Sequence, residues 1–382
     1  MSSPRLGRTI TPIVLITVAL LLSPDGAASA QSRCDDEWTI VESPSPGTIL
    51  NSLGAVAAVS ATDAWAVGFE GHVERGEFVE DPLIEHWDGR AWTVARVPDV
   101  HGLLADVAAV ASDDVWAVGQ AGSEDESTSL TLHWDGRRWS AVRSPIVARG
   151  YLLDVSATGP EDVWAVGVVT GTFETIVEHW DGTAWRLVSH PSPRSDYVNL
   201  GSVLAVAADD VWMAGNFLDA NAADVPFSER WDGRRWRPVP MVNEGGGTLI
   251  NALTMGQGSV WAVGRARVDD FSSVTVAERW DGNAWTVDAT PTPGGSGELL
   301  GATSAGPHLW AVGWSQEEQG ATRTLTLRRG PNGWKVMASP NPSDLGNLLL
   351  AVAASADGDL WAVGFSQEPG VNRTLTMHRC PD

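Results

Sequence analysis

Asp113-Asp114-Val115-Trp116-Ala117-Val118-Gly119, and the run Leu130-Thr131-Leu132-His133-Trp134-Asp135-Gly136-Arg137-Arg138-Trp139 that follows it, decide the fold. The first is a tight acidic turn entering a short apolar strand. The second opens with the alternation of a strand that buries one face. Asp135-Gly136 is a hairpin signal, because the turn needs a positive φ that glycine adopts at no steric cost. A short strand then starts at Trp139 and stops at Pro145. Proline is tolerated there when the strand is an outer edge. A small apolar stretch comes ahead of such a turn, as in Leu53-Gly54-Ala55-Val56-Ala57-Ala58-Val59, and small side chains suit an innermost strand. One unit therefore reads as four antiparallel strands, a to d from the inside out.

The unit recurs. W-[AM]-[VA]-G falls at Trp65, Trp116, Trp164, Trp212, Trp261, Trp310 and Trp361, with steps of 51, 48, 48, 49, 49 and 51 residues. [HR]-W-D-G falls at Trp87, Trp134, Trp180, Trp231 and Trp280, and a third Trp opens strand d at Trp92, Trp139, Trp185, Trp236, Trp285 and Trp334. Trp38 holds that third place near the N-terminus, and of the 20 tryptophans only Trp314 lies outside the three registers. A period near 50 residues with several short strands per unit predicts an all-β, seven-bladed propeller of four-stranded antiparallel blades.

The seventh unit has strands a, b and c but no d. Trp38-Thr39-Ile40-Val41, within residues 34–46, supplies the missing strand, so the N-terminal strand is expected to pair with the last blade and close the ring. Aligning Trp38 with Trp139 puts Cys34 on the Asp135 position, and aligning His378 with His133 puts Cys380 there too. Both cysteines fall where the c–d turn would have been. A Cys34–Cys380 disulfide in place of that turn is the reading this meeting point favours, against two free thiols. Closing a loop of nearly the whole chain corresponds to about 5 kcal/mol in the chain-entropy picture.

Residues 1–30 read as a secretory signal peptide. Arg5 and Arg8 form a basic start, Ile13 to Leu22 an apolar core, and Ala28-Ser29-Ala30 an A-x-A cleavage site. The expected mature domain is 31–382, secreted and extracellular, with no integral membrane segment after cleavage, since the apolar run is too short to span a bilayer. The chain carries a net charge of −23. That balance disfavours nucleic acid and anionic membrane surfaces as partners, because binding there depends on Lys and Arg meeting phosphate. It fits a soluble monomer.

The W-A-V-G and H-W-D-G units resemble a family of exported bacterial propeller repeats, and their length resembles kelch and galactose-oxidase-like propellers. The chain departs from kelch proper in having a single Gly, not a Gly-Gly pair, at the end of strand b. The resemblance implies the fold and says little about activity.

No catalytic constellation or cofactor motif stands out. Galactose-oxidase chemistry needs a Tyr cross-linked to Cys beside copper, yet only Tyr151 and Tyr197 exist and both cysteines are placed at the seam. Sialidase Asp-boxes are absent, as are H-E-x-x-H, Walker, EF-hand and G-x-S-x-G patterns. His86, His133, His179 and His378 share one repeat position with Arg230, Arg279 and Arg328. Arginine does not ligate zinc, so the position reads as scaffold and no metal site is expected.

Two weaker patterns point to binding. One place on strand a holds Ala55, Asp106, Asp154, Ser202, Ala302 and Ala351, with Ala252 by a one-residue shift. Asp106 and Asp154 would then sit in adjacent blades near the axis, either holding a cation or polar ligand or accepting backbone hydrogen bonds from the neighbouring blade. The residue after W-A-V-G is aromatic in the contiguous units six, seven and one, giving Trp314, Phe365 and Phe69, as a stacking arc or as inter-blade packing. The functional expectation is a recognition module for a glycan, a cell-wall component or a protein. The alternatives are a glycan-active hydrolase or lyase using Asp106 and Asp154, and a structural surface protein.

Overall fold

In the computed structural model, residues 37–122, 127–243, 247–317 and 320–381 are described. Seven four-stranded antiparallel sheets follow one another along the chain. Blade 2 shows the plan, with strand a at Gly102–Ala111, b at Asp114–Ala121, c at Thr128–Trp134 and d at Trp139–Ala141. The c–d glycines that the sequence marked do adopt positive φ, Gly136 at 81° and Gly233 at 81°. Because each blade is a simple meander, the a–b and c–d turns lie at one end of every sheet. The b–c hairpins and d–a connections lie at the other.

Ring closure is as expected. Blade 7 takes strands a, b and c from Asn347–Ala354, Leu360–Glu368 and Val371–Arg379, and its d strand is Thr39–Ile40. Thr39 pairs with His378 and Ile40 with Met377, and the Val41 N–H continues the ladder to the Thr376 carbonyl at 3.0 Å. Cys34 and the signal segment 1–30 lie outside the described residues. Among those described no cysteine is free, Cys380 included.

The core is a set of inter-blade seams, built alike. At the seams into blades 1 to 5 the strand-b Trp of one blade meets the W-D-G Trp and the strand-d Trp of the next. Trp116 lies 4.9 Å from Trp180 and 5.3 Å, edge-on, from Trp185. On its other side the same Trp116 stacks on His133 of its own blade at 4.3 Å, and His133 Nε2 bonds Asp114 at 2.7 Å. Arg230 takes the histidine's place over Trp212 and donates to Asp210 at 2.7 Å. The shared His/Arg position is thus a strut that ties the acidic turn to the buried indole, a cation–π contact where it is arginine.

Candidate functional site

Strand a carries a bulge in every blade, between Leu53 and Ala55, Leu104 and Asp106, Leu152 and Asp154, and so on round the ring. A bulge re-aims the residue that follows it. Here that residue points along the wall of a central cavity of about 500 Å³, lined by strand a of all seven blades. The register corrects one expected member of this position. Gly301, not Ala302, stands opposite Val312 as Asp154 stands opposite Val166. Blades 5 and 6 lack the second register shift that blades 1 to 4 have near the a–b turn, so the position lies nine residues before the strand-b Trp there and ten in those blades.

The structure brings Asp106 and Asp154 together. Asp106 Oδ2 accepts from the Val155 N–H at 2.8 Å, and the same N–H also reaches Asp154 Oδ1 at 2.9 Å. Asp154 Oδ2 accepts from the Val203 N–H at 2.7 Å, and Ser202 Oγ from the Leu253 N–H at 3.0 Å. Each side chain therefore clips its own strand a to the strand a of the next blade. Burial and the nearby Asp154 charge push the Asp106 carboxyl well above the usual carboxylate range, and burial pushes Asp154 up as well. Two carboxyls facing one amide resist both being charged at once, which favours the neutral form of one of them. Their lone pairs are spent largely on backbone donors, which is inter-blade clipping chemistry.

Phe69, Trp314 and Phe365 are each half-buried. They stand on strand b four residues beyond its seam Trp, so period two puts each ring on the face that carries that Trp. Phe69 is opposite Pro82, Trp314 opposite Thr324 and Phe365 opposite Thr374. Each ring thus belongs to a separate seam, near the b–c end, and no ring pair among the described residues joins two of them.

Two features escaped the sequence reading. Units six and seven lack the W-D-G Trp, and arginine fills its place. Arg329 lies 4.6 Å over Trp261, braced by Asp288 at 2.8 Å, and Arg379 lies 4.9 Å over Trp310. Aligning the units shows Arg329 and Arg379 in the Trp column, which was the available signal. The second is the distribution of exposed apolar side chains. Val73 (55% exposed), Phe78 (49%), Ile146 (76%), Val268 (62%), Phe271 (97%) and Leu345 (53%) all belong to b–c hairpins or d–a connections. At the a–b and c–d end only Met255, 39% exposed, is of this kind among the described residues. A further group, Ile40, Val94, Leu187, Val287 and Val336, lines the outer d strands.

Asp359, His378 and Cys380 bring possible ligand atoms within 4.8 Å of one another. Cys380 is not free, and His378 Nε2 already bonds Asp359 at 2.8 Å. This group repeats the strut of the other blades.

No protein-family profile matches the sequence, and no curated protein does. Solved structures do match in fold. YCF48 from Cyanidioschyzon merolae superposes with a TM-score of 0.55 at 15% identity, over 90% of this chain and 99% of that one. YCF48 bound to D1 peptide gives 0.56 at 14%, over 91% and 96%. The extracellular domain of a hybrid two component system, BT4673 from B. thetaiotaomicron, gives 0.56 at 8%, over 90% of this chain but 40% of that one. At these identities the likeness is one of fold.

Proposed function

We propose that this chain is an exported, non-enzymatic recognition module that binds a protein segment on the face made by its b–c hairpins and d–a connections. One observation carries the reading: the exposed large apolar side chains of the connections gather on that face. Apolar tips left in solvent on a rigid ring mark an interaction surface. Phe271, on the b–c hairpin of blade 5, is 97% exposed and has Asp269 and Asp270 beside it. Val73 and Phe78, cross-strand partners on the b–c hairpin of blade 1, are followed and preceded by Glu74 and Glu77. Apolar tips framed by carboxylates, on a chain of net charge −23, fit a partner that is cationic and partly apolar. YCF48, a propeller of the same fold, has been solved with a bound peptide.

The test is selection of displayed peptides on the immobilised mature chain, with Phe271→Ser and Phe78→Ser beside it. Enrichment of peptides rich in Lys, Arg and apolar residues is expected, with binding weakened at least tenfold by one of the two substitutions, as for a central aromatic anchor. Peptides that bind both variants as well as the parent would defeat the reading. So would binding confined to a glycan panel and lost in Trp314→Ala.

Export is part of the same proposal, with residues 1–30 as signal peptide and Cys34–Cys380 as the bridge that an oxidising compartment permits. Thiol titration of the unfolded mature chain without reductant is expected to find none. Two reactive thiols would remove the bridge.

A further inference from the structure

Four blades bury a glutamate at one position of strand c. Glu85, Glu178, Glu229 and Glu278 are 0–1% exposed. Each is paired on strand b with the residue that follows the seam Trp, Ala66, Ala165, Met213 or Ala262, and so faces the preceding blade. Three of them find a donor there, just beyond that blade's d strand. Ser144 Oγ donates to Glu178 at 2.6 Å, His190 Nδ1 lies 3.3 Å from Glu229, and the Val242 N–H reaches Glu278 at 3.1 Å. Where strand c carries Leu132 instead, the preceding blade offers Val97. In blades 6 and 7 the position holds Leu327 and Met377, and the corresponding residues of the preceding blades are Thr290 and Ser339, whose hydroxyls bond within their own blades to Thr275 and Thr324. Three of the four glutamates thus have a donor across the seam.

Glu85 is the exception, and it sits at the ring closure. The preceding blade is blade 7, whose d strand is the N-terminal Thr39–Ile40. The residue corresponding to Ser144 is Ser43, but its hydroxyl donates to Thr374 Oγ1 at 2.7 Å. Among the described residues neither carboxyl oxygen of Glu85 has a hydrogen-bond partner. Leu53, Val56, Leu83, Trp92, Trp361 and Val363 make up the apolar cluster of this seam, and the hydroxyls of Ser43, Thr374 and Thr376 there are bonded to one another or to the N-terminal backbone.

We propose that Glu85 makes the blade 7–blade 1 seam an acid-dependent closure: the neutral carboxyl keeps the N-terminal strand and the segment to Pro46 seated, and its ionisation lets them lift.

The charged groups on the elements that face this seam do not offset such a charge. On blade 7, His378 and Asp359 are bonded to each other at 2.8 Å, and Asp357 accepts from the Ala61 N–H at 3.2 Å near the a–b turns. Glu42 on the N-terminal segment is exposed. Arg379 is turned to the opposite seam, over Trp310. On blade 1, His86 bonds Asp63 on the face toward blade 2. Burial alone pushes Glu85 up, to about 8. A raised carboxyl means that the closed state binds the proton more tightly than the open one. Closure is then fully favoured at acid pH and is lost as pH climbs from about 4.5 toward 8.

Hydrogen exchange of the amides of residues 39–43 and 45, corrected for the intrinsic rate at each pH, reads the lifting directly. Between pH 5.5 and 8 the corrected exchange is expected to rise on the order of a hundredfold and then to flatten. Glu85→Gln, neutral at every pH, is expected to abolish the rise, and Glu178→Gln to leave it in place. Should Glu85→Gln fail to fold, Glu85→Leu serves, since Leu132 holds this position in blade 2. A flat profile in the parent chain overturns the proposal. An equal rise in Glu85→Gln does so too, and would assign the effect to another group such as His378.

Discussion

Gly215→Ala is expected to destabilise the ring by about 3 kcal/mol, the upper range for forcing a methyl into a packed interior, or to prevent folding outright. The cause is the strand-a bulge. Gly215 stands opposite Leu200, the last residue before the bulge, and a Cβ there would overlap the Asn199 backbone carbonyl oxygen. Backbone on both sides leaves nothing to rotate away. The same overlap recurs for Gly68 with Ser52, Gly167 with Tyr151 and Gly364 with Leu348, so the glycine of W-A-V-G is required by close approach. Gly201→Ala is the control. It lies one strand away in the same blade, and its Cβ would meet only the Asn199 side chain, at an ordinary 3.7 Å. A neutral result or a gain of about 0.5 kcal/mol is expected there, through the unfolded chain. Denaturant midpoints at unchanged m-value decide the comparison. A Gly215→Ala loss below about 1 kcal/mol would mean that strand a yields where the geometry makes it rigid.

Those glycines show why the fold was legible. Seven copies of one unit turn each steric requirement into a visible period, and the missing d strand of unit seven could be matched with Trp38 by subtraction. Legibility failed where geometry breaks the count. Blade 6 lacks the second register shift that blades 1 to 4 carry near the a–b turn, and the position expected at Ala302 is held by Gly301. It also failed where one chemistry replaces another, as Arg329 and Arg379 replace indole with guanidinium over the next Trp. The candidate site was less legible still. Asp106 and Asp154 were read as neighbours and are neighbours, but only the structure gives their shared Val155 N–H. The aromatic arc was read from adjacent units, yet Phe69, Trp314 and Phe365 each face a separate seam, as period two from the seam Trp already implied. Phe271 escaped because it lies in a hairpin that belongs to no repeat register. Exposure, unlike burial, leaves no periodic trace.

The N-terminal strand offers the second large effect. Only Thr39 and Ile40 pair in the ladder, and Val41 adds one further backbone bond. So short an edge is held chiefly by packing, and Trp38 supplies it. The indole is 3% exposed and meets Trp310 edge-on at 5.8 Å, while Arg379 covers the same Trp310 at 4.9 Å. Trp38→Ala is expected to cost about 3–5 kcal/mol, as a large aromatic truncated in a core does. Trp314→Ala, at a half-buried ring outside the three registers, is expected to cost about 1 kcal/mol. Equilibrium unfolding with and without reductant separates the sources of closure. If packing dominates, Trp38→Ala loses stability in both conditions, because the indole is missing whether or not Cys34 is tethered. A Cys34–Cys380 bridge acts on the unfolded chain and adds to the indole's contribution, so its share is read from the parent, which is then expected to lose about 5 kcal/mol on reduction.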